Sequence, residues 1–205
     1  METSKWYIYG LSANPPTNAH LEIIKGLSTL GGDVTVFPSY NHPIKTNLID
    51  FNHRVNMLRL ICEPYENVCV STLEKHVDIN STYELVSYLR THVPSYERTV
   101  FVIVCDLVIV MEFLDLKRQH AAYVLDSNDI EFCVVLNASN DVEREKNNVL
   151  HHENGISKTF SFLVLDTIDE HIRSTNARRA TMSSMEAFVP RNVCEYIQHH
   201  GIMFT

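Results

Sequence analysis

The chain alternates between short apolar runs and segments whose apolar residues recur every three or four positions. The apolar runs, rich in β-branched and aromatic residues, predict strands over 5–9, 33–37, 67–73, 99–105, 131–136 and 160–166. The amphipathic segments predict helices over 21–27 and 51–62, from Ser81, over 107–120, from Ser174 and over 190–200. This alternation predicts an α/β fold, a Rossmann-like doubly wound parallel sheet that binds its ligands outside the carboxyl ends of the strands.

The organisation of the chain follows from the same pattern. The polar stretch 137–158 has no core periodicity, so we expect a mobile loop or insert there. Beyond the last predicted strand only helical segments remain. We therefore predict a Rossmann-like domain over 1–170 and a small helical C-terminal subdomain over 171–205.

Composition narrows the classes of function. The 205 residues are 45% hydrophobic and 20% charged, which is ordinary for a soluble globular protein, and the net charge of −8 with no long basic run argues against nucleic-acid binding. The longest apolar run, 100–111, is too short to span a membrane, and the polar start predicts no signal peptide. The five scattered cysteines predict reduced thiols in a cytoplasmic protein, and we expect no protein metal site.

The junction between the first strand and the first helix is the first candidate for chemistry. Its loop, 10–16, contains one glycine, a serine, an asparagine and two prolines. Such a junction presents backbone N–H groups and the positive end of a helix dipole to an anion. Thr17 and His20 are three residues apart and would share a face of the first helical turn. The alternative is that His20 only extends the buried face formed by Ile23, Ile24 and Leu27.

Two further stretches carry candidate phosphate ligands. Ser174 or Thr175 can cap a helix, and Arg178, one turn later, can bring its guanidinium to the same phosphate oxygens. Lys45 lies in a proline-bounded loop after the second strand. The alternatives are a capped surface helix with a basic face and a solvated surface lysine.

These stretches resemble known motifs. The sequence Gly10-Leu11-Ser12-Ala13-Asn14-Pro15-Pro16-Thr17-Asn18-Ala19-His20 is similar to the Gly-x-x-x-Asn-Pro-x-(Thr/His)-x-x-His signature of the nucleotidyltransferase superfamily. The likeness is greatest to the nicotinamide/nicotinate mononucleotide adenylyltransferases. The segments 38–45, 51–58, 172–178 and 189–201 resemble that family's further motifs, in the family's order.

The resemblance implies transfer of the adenylyl group from ATP to nicotinamide or nicotinate mononucleotide, with pyrophosphate as the second product. It implies Mg²⁺ bound to the substrate without dedicated protein ligands, and it leaves a homo-oligomer open. The implied catalytic residues are His20, Thr17, Lys45 and Arg178. The implied ATP and phosphate ligands are Gly10, Leu11, Ser12, Asn14, Pro15, His20, Asp106, Ser174, Thr175 and Arg178. The implied mononucleotide ligands are Ser12, Lys45, Thr82 and Phe113.

The chain departs from the family's pattern at three positions. Val104 replaces the glycine of a Gly-x-Asp segment, Arg173 replaces a serine, and Leu114 stands where the family has a tryptophan that stacks on the pyridine ring. Without that stack, worth about 1 kcal/mol, we expect both mononucleotides to be used within about tenfold of each other. Two alternatives stay open: a related enzyme acting on another phosphorylated acceptor, such as phosphopantetheine or glycerol phosphate, and a degenerate, non-catalytic nucleotide-binding protein.

Overall fold

The computed structural model describes residues 4–42, 45, 47–77, 79, 82–94, 98–104, 131–151, 160–166 and 171–204. The described strands are β1 (Trp6–Leu11), β2 (Asp33–Pro38), β3 (Val68–Val70), β4 (Thr99–Val104), β5 (Glu131–Asn137) and β6 (Phe160–Leu165). The described helices are α1 (Asn18–Ser28), α2 (Phe51–Cys62), α3 (Leu73–His76), α4 (Thr82–His92), α5 (Val142–Leu150), α6 (Ser174–Arg179), α7 (Met182–Met185) and α8 (Arg191–His199). Strands and helices alternate along most of this order.

The strands form one parallel sheet in the order β3-β2-β1-β4-β5-β6. The predicted doubly wound parallel sheet is therefore confirmed. The order reverses between β1 and β4, and the crevice outside the carboxyl ends of two such strands is where doubly wound sheets bind their ligands.

Alternating side chains of β1 divide the core into two layers. Tyr7 and Tyr9 face a cluster that includes Ile24 of α1 and Leu58 of α2. Ile8 faces the opposite cluster, which contains residues of α4 and β5. Because successive side chains of a strand point to opposite faces, a central strand buried on both sides is apolar throughout.

The C-terminal helices pack into the first of these two clusters. Ala177 of α6, Met185 of α7 and Val193 of α8 share it with β1 and α1. This packing holds α6 close to the loop that follows β1. The division into domains over 1–170 and 171–205 stays a prediction. No described helix is long and apolar enough to cross a membrane.

Three sequence predictions need correction. The stretch 137–158 is not a loop throughout, because α5 spans Val142–Leu150 with Asp141 capping its first turn, and its Val149 is 2% exposed. Its strongly polar composition concealed the narrow buried face. The third strand is shorter than predicted, since α3 begins at Leu73. A short extra helix, α7, lies between the two predicted C-terminal helices. The segments 105–130 and 152–159 lie outside the described residues.

Candidate active site

The loop between β1 and α1 lies at the reversal point of the strand order. Gly10, the penultimate residue of β1, is exposed, and a Cβ placed on it would meet nothing within 4 Å. The loop then turns inward, with Ala13 at a φ of 51° and Asn14 only 3% exposed. The Asn14 side chain accepts from the Ile49 N–H at 3.1 Å and donates to the Asn47 carbonyl at 3.0 Å. The loop is thereby fixed to the segment that precedes α2.

Thr17 and His20 meet at the start of α1. Thr17 is the N-cap residue and is fully buried, and its backbone N–H donates to Nδ1 of His20 at 2.9 Å. The Thr17 hydroxyl lies 2.8 Å from the same nitrogen. Since a backbone N–H can only donate, Nδ1 must accept, and a neutral His20 carries its proton on Nε2. The imidazole is therefore held as an Nε2–H donor.

The protonation of His20 is set by its surroundings. Burial, and then the positive charge of Lys45, lower the pKa of His20 to about 4. The side chain is therefore a neutral hydrogen-bond donor at neutral pH. An anion bound beside it would oppose both causes and raise this pKa.

Lys45, which follows β2, contacts the loop after β1 at Ser12. Its Nζ donates to the Ser12 Oγ at 2.9 Å. Although Lys45 as a whole is exposed, desolvation of its ammonium group, and then the charge of Arg178, lower its pKa. Two cations close enough for Arg178 to lower the pKa of Lys45, in a protein of net charge −8, form a local site for an anion.

The N-terminal end of α6 fastens onto the same loop. The Ser174 Oγ donates to the Pro15 carbonyl at 2.8 Å, and the Arg178 Nη1 donates to the Asn14 carbonyl at 2.8 Å. The Arg178 Nη2 also donates to the Thr175 Oγ1 at 3.3 Å. A guanidinium has five N–H donors, so these two bonds leave donor capacity for a ligand.

The structure thus brings most of the predicted site residues together at the loop after β1, the starts of α1 and α6, and Lys45. Those brought together are Gly10, Leu11, Ser12, Asn14, Pro15, Thr17, His20, Lys45, Ser174, Thr175 and Arg178. Leu11 takes part through its backbone only, because its side chain lies in the core and its carbonyl accepts from the Ser39 N–H. Thr82 is the first residue of α4; its side chain is not among the parts that the structure describes, so its predicted role stays a prediction. The predictions for Asp106 and Phe113 lie outside the described residues.

Two charged side chains at the site were not among the predicted site residues, although Arg54 lies in the segment 51–58 that resembles a motif of the family. Arg54 of α2 is 1% exposed, and Glu74 of α3 accepts from the Tyr40 N–H at 2.9 Å. Burial raises the pKa of Glu74 to about 7, against the opposing effects of the Tyr40 N–H and Arg54. The available signal was an arginine one position before Val55, within the apolar face of α2.

Comparison with known proteins places this arrangement in a family. A family model described as cytidylyltransferase-like matches residues 8–180. The chain therefore belongs to the cytidylyltransferase-like family. A probable nicotinate-nucleotide adenylyltransferase of Acholeplasma laidlawii is 33% identical over 102 residues. That match covers 48% of this chain and 53% of the relative, so the chain spans about half the length of this curated relative.

Solved structures share the fold over nearly the whole chain. A Plasmodium falciparum nicotinic acid mononucleotide adenylyltransferase complexed with NaAD is similar at a TM-score of 0.73 and 18% identity, covering 98% of this chain and 97% of that one. The same enzyme complexed with APC gives a TM-score of 0.71 with the same identity and coverage. A putative nicotinate-nucleotide adenylyltransferase from Vibrio parahaemolyticus gives 0.52 at 16% identity, covering 97% and 94%. At these identities the likeness establishes the fold.

Proposed function

We propose that this protein transfers the adenylyl group of ATP to nicotinate or nicotinamide mononucleotide, forming the dinucleotide and pyrophosphate. The observation that carries the proposal is the convergence of three donors, His20, Lys45 and Arg178, on the loop after β1. The curated relative and the structural neighbours are named as adenylyltransferases of nicotinate mononucleotide, and these names support the choice of acceptor.

The reaction needs alignment and charge stabilisation more than proton transfer. An oxygen of the mononucleotide phosphate forms a bond to the α-phosphorus of ATP. The bond from that phosphorus to the bridging oxygen breaks, and pyrophosphate leaves with the electron pair. The attacking phosphate is already an anion, so no general base is required. Such a transfer is accelerated by positioning the reactants and by donors aimed at the oxygens that gain charge.

The geometry supports a role for each of the converging side chains. His20 offers its Nε2–H to a phosphate oxygen, and the buried Thr17 orients the imidazole through its hydrogen bonds to Nδ1. Lys45 and Arg178 offset the charge of the triphosphate. Gly10 leaves open space where a phosphate or ribose can approach the backbone. Ser174 keeps the start of α6 against the loop.

Mg²⁺ would enter as the counter-ion of the triphosphate and thus as part of the substrate. Such ions keep mostly water and phosphate ligands. Across the part of the chain that the structure describes, no group of three or more His, Cys, Asp or Glu side chains could hold a metal. We propose a cytoplasmic protein that acts on these nucleotides, because scattered cysteines without a Cys-x-x-Cys pair are typical of a reducing compartment.

The decisive experiment is an assay of the purified protein with ATP, Mg²⁺ and each mononucleotide in turn, with dinucleotide and pyrophosphate measured. We expect both products in equal amounts. Glycerol phosphate and phosphopantetheine serve as control acceptors. Turnover with either control and with neither pyridine mononucleotide would overturn the proposal, and so would ATP binding without turnover of any acceptor.

A further inference from the structure

Arg54 is a buried cation whose guanidinium donates to four backbone carbonyls. Its Nε donates to Ile49 at 3.1 Å, and its Nη1 donates to Ser12 at 2.9 Å and to Ser39 at 2.7 Å. Its Nη2 donates to Tyr40 at 3.4 Å. These acceptors belong to the loop after β1, the loop after β2 and the segment before α2. One guanidinium therefore ties together three separate segments.

Glu74 holds the loop after β2 at Tyr40, which is also one of the residues that Arg54 contacts. The Tyr40 peptide N–H donates to the Glu74 Oε2, while the Tyr40 carbonyl accepts from Arg54. The Tyr40 ring also packs edge-on against Phe51, with ring centroids 5.2 Å apart. Tyr40 is thus held through its N–H, its carbonyl and its ring. A loop residue fixed by two charged side chains has little freedom to shift.

The segments that Arg54 joins carry the candidate site. Ser12, whose carbonyl accepts from Arg54, is also the residue whose hydroxyl accepts from Lys45. The loop after β2, which Arg54 and Glu74 hold at Tyr40, leads within five residues to Lys45. Arg54 therefore contacts the Ser12 end of the Lys45–Ser12 hydrogen bond directly and holds the loop at Tyr40, five residues before Lys45.

We propose that Arg54 and Glu74 are positioning residues for the transfer reaction: together they hold the Ser12 carbonyl and the Tyr40 peptide so that Lys45 reaches the triphosphate. This inference rests on the proposed function. Neither side chain needs to contact the substrate. Their effect on rate comes from the placement of Lys45 and of the loop after β1, because a displacement of about 1 Å at a reacting centre can lower a rate about a hundredfold.

The number of acceptors explains why arginine is required at position 54. A lysine has three donors on one atom and no planar fork, so it cannot reach carbonyls on three segments at once. The substitution Arg54→Lys keeps the charge and loses the geometry. At position 74 the reverse holds, since Glu74→Gln loses the charge and keeps an oxygen that can accept from the Tyr40 N–H.

The first test compares Glu74→Ala with Glu74→Gln, using Glu66→Ala, an exposed glutamate, as the matched control. We expect Glu74→Ala to lower kcat about tenfold or more, with the KM for ATP changed by less than about threefold, because transition-state alignment is lost more than ground-state binding. Glu74→Gln should restore kcat to within about threefold of wild type, the scale of an ordinary surface change. Equal kcat losses in both variants, or a normal kcat in folded Glu74→Ala, would overturn the proposal.

The second test uses Arg54→Lys, with Arg59→Lys on the exposed side of α2 as its control. We expect a folded Arg54→Lys protein whose kcat falls about a hundredfold, while Arg59→Lys stays within about threefold of wild type. If Arg54→Lys fails to fold by circular dichroism, the Glu74 pair alone decides the proposal. A folded Arg54→Lys protein with normal kcat would overturn it.

A readout that does not depend on turnover separates this inference from the proposed function. Hydrogen exchange of the Tyr40 amide, followed by NMR, should be slow in wild type and in Glu74→Gln and at least about tenfold faster in Glu74→Ala, since a protected amide exchanges through local opening. Fast exchange in wild type would overturn the inference even in an active enzyme. A wild-type protein that turns over neither mononucleotide would refute the proposed function. The exchange pattern would then still show whether Glu74 holds the Tyr40 peptide.

Discussion

The loop after β1 is held at two helix ends that are built in different ways. At α1 the site follows from core packing: Ile23, Ile24 and Leu27 are buried, and Thr17 is fully enclosed where it meets His20. At α6 only Ala177 is buried, and the helix is six residues long. The contrast places a neutral donor, His20, at one end and a half-buried cation, Arg178, at the other.

The attachments of the two ends differ in the same sense. The α1 end is continuous with the loop through the backbone, since Asn18 directly follows Thr17 at the end of the loop. The α6 end reaches the loop through hydrogen bonds from Ser174 and Arg178 to the carbonyls of Pro15 and Asn14. We therefore expect substitutions at α1 to act on the chemical step, and substitutions at α6 to act on ATP binding as well.

The largest effect is expected at His20. His20→Ala should lower kcat about a hundredfold or more, the scale for losing one donor to developing charge, with a much smaller change in the dissociation constant of ATP. His20→Gln should recover part of the loss, because its amide offers a neutral N–H near the position of Nε2. Steady-state kinetics and calorimetric titration of ATP provide the two measurements.

The control for His20 is His76→Ala, an exposed histidine on α3. It should leave kcat within about threefold of wild type. If His20 only ended the buried face of α1, the alanine variant would lose stability and keep its turnover. A folded His20→Ala protein with turnover within about threefold of wild type would remove the central residue of the site.

At the other end, Arg178→Ala should lower kcat/KM for ATP about thirtyfold. The estimate follows from a charged hydrogen bond worth about 2 kcal/mol. Unlike the His20 variants, it should also raise the KM for ATP, because the guanidinium meets the triphosphate in the ground state. The neighbouring Arg179→Ala, exposed on the same helix, is the matched control. Equal effects of the two substitutions would mean that only the net charge of α6 matters.

Thr17→Val tests the orienting role at α1 with a smaller expected effect. The substitution keeps the shape and removes the hydroxyl that lies 2.8 Å from the His20 Nδ1. We expect kcat to fall about fivefold, the value of one neutral hydrogen bond of about 1 kcal/mol, while the KM for ATP is unchanged. Thr17→Ser should retain the wild-type rate. A loss as large as that of His20→Ala would instead indicate that the hydroxyl itself contacts the reacting phosphate.

How far the sequence could predict the molecule follows from what each residue interacts with. The strands and the α1 end were predictable because their apolar spacing and the Thr17–His20 spacing are local signals. The face of α5 was missed, since Val149 is the one buried apolar residue of a mostly polar helix. Arg54 was not predicted as a site residue because its acceptors are backbone carbonyls on other segments, and backbone carbonyls carry no residue-type signal.

The smallest expected effect is a pH dependence of stability that only the buried α1 end can supply. Unfolded His20 titrates near its ordinary pKa of 6.5, and the folded protein takes up that proton only near pH 4. Between these values the unfolded state binds more protons, so lowering the pH destabilises the fold. Above pH 6.5 His20 is neutral in both states, and stability no longer varies with pH through this group. His20→Gln removes it, and the wild-type protein should lose about 1 kcal/mol relative to this variant on going from pH 7.5 to 4.5, a value discounted for the partial exposure of the ring. Urea unfolding of both proteins across this range provides the measurement. Parallel stability profiles would show that His20 is not desolvated in the folded protein, and would remove the physical difference between the two ends of the site.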